Sequence, residues 1–426
     1  MRILGGRIIQ RVCTENTCDA FLMCSRGLCV LMFKSSKIEY LPPNVFRRLE
    51  ERKNHARQQG KDIIDCGTAN PSGAPPAEVV WALQRASQVS ENSHYAPTRG
   101  INEFRQEIAN WYRVRFGVDI DPDTEVHTLL GSKEGLFDIS LTYLGQRDVA
   151  LIPDPSFPTY HDGAYMAGAD IYRLPLRKEN HYLPRLDNIP LFILKRARVL
   201  FLNYPHNPTG AMAPPEFMRD VISFAKEHDI IVCYDNAFSE LTFDGNKAPS
   251  FLEYEGAKDV GIELFTFSKA FNMSGWRLAF AVGNRHIIGS LVEFHAEAHT
   301  GMFPVIQWAG VTALKDIWPT SFLAEQRADY QRKRDYALNK FAQIGWPVDK
   351  PAGAIYLWVP TPHGTTCEEF ADMLLDNYGL LVAPGIGFGD TGHGFIRISM
   401  TCKLEDFKRG IDYLCDAIQM AAKPTT

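Results

Sequence analysis

The chain has 426 residues, too many for one simple hydrophobic core, so a large and a smaller domain are expected. Its hydrophobic (45%) and charged (22%) contents are ordinary for a globular protein. A formal charge of −5 and the lack of strongly basic runs give no electrostatic reason for nucleic acid or an anionic membrane as main partner, which leaves a small-molecule enzyme as the leading class.

Residues 1–32 read as an extension outside the fold, with Met32 as the working start. Their apolar stretch AFLMCSRGLCVLMF is interrupted by Arg26 and is too short to span a bilayer. It has no small-residue cleavage pattern, and Glu15 and Asp19 argue against a transit peptide. Cys13, Cys18, Cys24 and Cys29 cluster here without a CxxC pair or a nearby histidine, so no metal site is expected. Cys66, Cys233, Cys367, Cys402 and Cys415 are scattered, which fits a reducing compartment and a cytoplasmic location.

Residues 33–70 are assigned to an arm and part of the small domain, 71–300 to a large domain, and 301–426 to a small C-terminal domain. From about residue 126, VHTLL, DVALIP, RVLFLNYP, IIVCYD, IELFTFS and LAFAVG read as buried strands. KEGLFDISLTYL and PPEFMRDVISFAKEHD read as helices between them. Such alternation predicts an α/β fold with a mainly parallel sheet covered on both faces. After residue 300 the strands AIYLWVP, LLVAP and FIRISM, with the helices CEEFADMLLDNYG and LEDFKRGIDYLCDAI, suggest a smaller α+β domain.

Ligands of open α/β sheets bind beyond the carboxyl ends of the strands. Just past those ends come Gly131 and Ser132, Asp154 and Phe157, Asn203 and Asn207, Asp235, and Lys269. In LLGSKEGLF a strand gives way to a helix whose first N–H groups and Ser132 suit a phosphate, although Ser132 is equally a plain N-cap. In TFSKAFNMSGWR, a lysine at an apolar site loses its proton readily and forms a Schiff base with a carbonyl. Thr266, Ser268 and Arg277 around it suit a phosphate. A cofactor with both an aldehyde and a phosphate meets both demands, and pyridoxal 5′-phosphate is such a group.

Asp235 ends an apolar strand, where a carboxylate is costly unless it faces a cation such as a protonated pyridine nitrogen; a turn or N-cap aspartate is the plainer alternative. Asn207, in NYPHNPTG, suits a ring hydroxyl, though N-P-T-G is also a turn signature. Phe157 offers a flat face for stacking, as any core phenylalanine does. Arg397, on the FIRISM strand, must reach solvent or an anion, and a substrate carboxylate is one candidate.

With YAPTRG, GSKEGL, DPSFPTY, NPTG, YDNAF, TFSKAFNMSGWR and FIRIS in this order, residues 37–420 resemble the class I/II aminotransferases, the fold-type-I pyridoxal-phosphate enzymes. Within that family YLPPNVF, GSKEG, NYPHNPTGA, APSFLE and VGIE look most like LL-diaminopimelate aminotransferases of lysine biosynthesis, with alanine-type enzymes close behind. The resemblance implies that Lys269 carries the cofactor, Asp235 pairs with its ring nitrogen, Asn207 contacts its ring oxygen and Phe157 stacks on it. It further implies that Ser132, Lys133, Thr266, Ser268 and Arg277 hold the phosphate, and that Tyr95 reaches the phosphate of the neighbouring subunit, so a homodimer is expected. Arg397, with Asn207 and Ala69, would meet the substrate α-carboxylate.

Two positions depart from the pattern. Phe238 stands where the family usually has a tyrosine bonded to the ring oxygen, so the Schiff base of Lys269 is expected to titrate at higher pH. Ala69, in CGTANP, replaces a glycine common near the substrate carboxylate, and its methyl group would narrow the pocket. The same scaffold also supports alanine/glutamate-type transamination and C–S bond cleavage. A DNA-binding module is not expected, because 32 residues without a basic helix are too few for one.

Overall fold

The computed structural model describes residues 44–421 continuously, together with 22–25, 28–31, 35–39 and 41. The chain divides into two units, 1–42 and 43–426. In the first, β1 (Leu22–Ser25) pairs antiparallel with β2 (Leu28–Leu31), Leu22 opposite Leu31 and Cys24 opposite Cys29. Cys13 and Cys18 lie outside the described residues.

The second unit is built on a seven-stranded sheet. Its strands are β4 (Val126–Leu129), β5 (Val149–Asp154), β6 (Asp170–Pro175), β7 (Ala197–Leu202), β8 (Ile231–Asp235), β9 (Gly261–Thr266) and β10 (Ala279–Gly283), in the spatial order β4-β10-β9-β8-β7-β5-β6. The pairs among β5 to β9 are parallel, and β10 runs antiparallel to both its neighbours. All six strands read from the sequence are present. The edge strand β6 was not read, because exposed Asp170 and Arg173 break the apolar pattern that signals a buried strand.

Alternate residues of the strands enter separate cores, which is why these strands are apolar throughout. Val149 and Leu151 join one cluster, with Phe104, Ile108, Trp111 and Tyr112 of the helix Asn102–Phe116 and Val221 and Ile222 of the helix Pro215–His228. Ala150 and Ile152 join the other, with Leu136 and Ile139 of the helix Ser132–Tyr143 and Ile288 and Leu291 of the helix Arg285–Ala298. Glu263, on β9, is fully buried and accepts hydrogen bonds from Tyr112 Oη, Asn236 Nδ2, Ser250 Oγ and the Phe251 amide, each 2.7 Å long.

The C-terminal third forms a three-stranded antiparallel sheet of β11 (Tyr356–Pro360), β14 (Phe395–Ser399) and β13 (Ala383–Pro384), in that order. Beside it β12 (Leu380–Leu381) pairs in parallel with β3 (Ile64–Asp65), far upstream in sequence. Helices Cys367–Tyr378 and Leu404–Ala421 supply Phe370, Leu374, Phe407 and Ile411 to the core of this part, into which Ala237 and Phe238 also pack. A Thr366–Glu369 capping box starts the first of these helices. Among the described residues no helix is long and apolar enough to cross a membrane.

Candidate active site

The carboxyl ends of β4, β8 and β9 open toward one edge of the sheet. Because β10 is antiparallel, its first residue, Ala279, sits opposite both Leu129 and Thr266 at that same edge. The segment from Lys269 to Arg277 therefore leaves and re-enters the sheet beside the start of the helix Ser132–Tyr143. Arg277 adopts φ 55°, and its guanidinium lies so close to Gly131, itself at φ 94°, that a Cβ at position 131 would collide with it. Arg277 Nη1 also donates to the Ser274 carbonyl at 2.9 Å.

Thr266 caps the single helical turn Phe267–Ala270 by accepting from the Ser268 amide at 3.2 Å, and its hydroxyl donates to Ser268 Oγ at 2.9 Å. Gly131, Ser132, Thr266, Ser268 and Arg277 thus provide a helix N-terminus, hydroxyls and a guanidinium, a donor set suited to a phosphate. Lys133 is exposed. Tyr95 is 90% exposed and belongs to none of the side-chain groupings described here.

Lys269 is half-buried and donates to the Ala69 carbonyl. Burial, reinforced by the positive charges of Arg397 and Arg277, brings its pKa down to about 7. An amine poised there is both a competent nucleophile and a competent acid–base group near neutrality.

A continuous hydrogen-bonded chain runs through the site. Tyr160 Oη donates to Asp235 Oδ2 at 2.9 Å, and Asn203 Nδ2 donates to the Asp235 carbonyl at 2.6 Å. The Asn207 amide donates to Asn203 Oδ1 at 2.8 Å, and Arg397 Nη1 donates to Asn207 Oδ1 at 3.0 Å. Arg397 Nη2 ends the chain on the Gly67 carbonyl at 2.9 Å. Asp65 fixes that carbonyl's loop by accepting from the Gly67 and Thr68 amides at 3.1 and 3.0 Å.

Arg397 is fully buried, with its guanidinium carbon 4.2 Å from the Tyr356 ring, 4.6 Å from Phe388 and 5.2 Å from Phe46. Such a cage holds the guanidinium in one orientation. Phe157 lies 6.4 Å from Phe46 and 6.1 Å from Tyr160, which joins it to the same group. Phe238 is buried edge-to-face on Tyr356, ring centroids 5.6 Å apart. Asp154 turns away and accepts from Thr391 Oγ1 at 2.8 Å.

Asp235 tests whether these residues fit pyridoxal phosphate. The residue is 5% exposed, its Oδ1 has no partner among the described residues, and burial lifts its pKa to about 6, partly offset by Tyr160 and the Ala237 amide. A carboxylate oxygen with no donor of its own is what a ring N–H cation would satisfy. The residues fit the group.

Tyr160, Asn203, Gly67 and the aromatic cage were not assigned roles from the sequence. Tyr160 and Asn203 stand inside DPSFPTY and LNYP, so the motifs held them; Tyr356 and Phe46 carry no local signal, since only packing brings them to Arg397.

Sheet topology and site together define an α/β enzyme whose strand ends bring a low-pKa lysine beside a donor set suited to an anion. Residues 61–418 match the family of class I and II aminotransferases, and the chain belongs to that family. It is 42% identical over 383 residues to the LL-diaminopimelate aminotransferase of Moorella thermoacetica, covering 90% of this chain and 98% of that one. It is 39% identical over 371 residues to the LL-diaminopimelate aminotransferase of Aquifex aeolicus, covering 87% and 95%. Among solved structures it is similar to substrate-bound BacF from Bacillus subtilis (TM-score 0.88, 37% identity, 91% and 98% covered). It is also similar to a probable N-succinyldiaminopimelate aminotransferase from Thermus thermophilus (TM-score 0.82, 31% identity, 88% and 100% covered).

Proposed function

We propose that the chain is a pyridoxal-phosphate-dependent aminotransferase of LL-diaminopimelate in lysine biosynthesis, working as a cytoplasmic homodimer. The observation that carries the chemistry is the pairing of a lysine near pKa 7 with a buried carboxylate whose Oδ1 has no partner among the described residues. The names of the relatives support the substrate. Free cysteines, four of them buried, support a reducing compartment. Residues 71–300 would form the cofactor domain, and 301–426 with part of 33–70 the smaller one.

When bound, pyridoxal phosphate supplies an aldehyde that condenses with amines and a ring that accepts the electron pair released at the substrate Cα. The rest is done by this chain. Lys269 Nζ would hold the cofactor between turnovers, then take the proton from the substrate Cα and deliver it to the carbon that was the cofactor's aldehyde. A pKa near neutrality lets one amine do both. Asp235 would keep the ring nitrogen protonated, with Tyr160 holding its carboxylate and Asn203 its backbone carbonyl in place. Asn207 would donate to the ring oxygen, and Phe157 would cover one ring face. Ser132, Thr266, Ser268 and Arg277, with Lys133 at the margin, would hold the phosphate, and Tyr95 would extend to the partner subunit's site. Arg397 would grip the α-carboxylate, its cage excluding water, with Asn207 and Ala69 bordering the same space.

The test is a spectral titration of the cofactor-loaded protein with LL-diaminopimelate and, in parallel, alanine. Bleaching of the visible band at much lower diaminopimelate concentration is expected. Bleaching with alanine alone moves the assignment to an alanine-type enzyme. Release of pyruvate and ammonia without an oxo-acid acceptor indicates a lyase, and failure to take up the cofactor refutes the reading.

A further inference from the structure

Away from the cofactor site, the helices Ser132–Tyr143 and Arg285–Ala298 each present two metal-ligating side chains one turn apart: Glu134 and Asp138 on the first, His295 and, just past its end, His299 on the second. Their donor atoms all lie within 4.8 Å of one another. His295 Nδ1 is 3.6 Å from Asp138 Oδ2, and His299 Nε2 is 3.5 Å from Asp138 Oδ1 and 3.9 Å from Glu134 Oε1.

These separations exceed ordinary hydrogen bonds. Asp138 and His295 are 2% and 1% exposed, and both Asp138 Oδ2 and His295 Nδ1 lack a hydrogen-bond partner among the described residues. Leaving two such buried atoms unsatisfied is costly, so both call for a partner. Four donors about 2.0–2.1 Å from a tetrahedral ion stand roughly 3.4 Å apart, close to the shorter contacts here. A third histidine, His127, packs its ring edge-to-face at 4.7 Å from the His295 ring.

We propose that Glu134, Asp138, His295 and His299 form a structural site for one divalent transition-metal ion, with zinc the best match. Two imidazoles with two carboxylates suit zinc or its neighbours, whereas magnesium and calcium favour all-oxygen shells. His299, its side chain 36% exposed, gives the ion its entrance. Glu134 lies two residues past Ser132, so the ion would anchor the first turns of the helix that starts at the phosphate cup. Gly301, two residues past His299, packs so closely on Ala96 and Pro97 that a Cβ there would strike the Ala96 carbonyl. The ion would therefore also brace the segment that carries Tyr95. None of the four residues was singled out from the sequence, because the two pairs stand more than 150 positions apart.

The test uses the cofactor-loaded full chain, stripped with a chelator and titrated with Zn²⁺, Co²⁺ and Mg²⁺ by calorimetry and thermal unfolding. Expected are one Zn²⁺ per chain, a higher unfolding temperature, no response to Mg²⁺, and Co²⁺ visible bands without thiolate charge transfer. Asp138→Asn and the half-exposed His299→Gln, each checked for native circular dichroism and cofactor content, should weaken Zn²⁺ binding by at least the roughly 10–100-fold that an outer-shell loss costs. The proposal is overturned by absence of saturable Zn²⁺ binding, by equal binding in both variants, or by a Co²⁺ thiolate band that places the ion on cysteines.

Discussion

Replacing Asp235 by asparagine separates the cost of burying this carboxylate from its use. Its pKa stands at about 6, against an ordinary 3.8, chiefly because burial disfavours the charged form. The difference of about two units corresponds to roughly 3 kcal/mol. Between about pH 4 and pH 6 the folded cofactor-free chain binds more protons at this site than the unfolded one, so its stability falls as pH rises through that window. Above pH 6 the full cost is carried. Asparagine keeps an acceptor for Tyr160 and does not titrate. The stability difference between cofactor-free wild type and Asp235→Asn should therefore move by up to roughly 3 kcal/mol in favour of the variant from pH 4 to 7. Bound cofactor with a protonated ring nitrogen should abolish that drift in the wild type. Asparagine cannot offer the ion pair, so cofactor retention should weaken by roughly 100-fold. Urea unfolding at fixed protein concentration, with and without cofactor, measures both. Parallel pH profiles for the two cofactor-free proteins would refute the reasoning.

Arg397→Lys removes the fork that spans Asn207 and Gly67 within the ring cage, and KM for the amino-acid substrate should rise by roughly 10–100-fold, with kcat less affected. An unchanged KM would place the α-carboxylate elsewhere. Phe238→Tyr adds a phenol at a buried position; if it bonds the ring oxygen, the visible band of the cofactor-loaded protein should titrate roughly 0.4–1 pH unit lower, the equivalent of one hydrogen bond. No displacement of that midpoint would count against Phe238 as the missing partner. Glu263→Leu strands four buried donors and should cost at least about 4 kcal/mol in denaturant unfolding, whereas a loss under about 1 kcal/mol would show that they find new partners.

The amino-acid sequence by itself determined six of the seven strands of the main sheet and the motifs at their ends. Buried strands such as IIVCYD are apolar on both faces because both faces are covered, and that requirement is visible in the composition of six residues. Lys269 and Arg277 were legible for a related reason: a cation beside an apolar strand end needs a chemical explanation even before the fold is known. Edge strand β6 was not legible, since solvent on one side removes the constraint that makes a strand apolar. The tertiary structure alone decided which groups touch. Sequence order holds no distance between Arg397 and the Tyr356, Phe388 and Phe46 rings, or between Glu134 and His299. Those contacts come from packing elements far apart along the chain, whose free energy is spread over whole cores rather than encoded in any short stretch. The pKa of Lys269 belongs to the same category. Burial by neighbours distant in sequence sets it near 7, and nothing local to TFSKAF specifies that value.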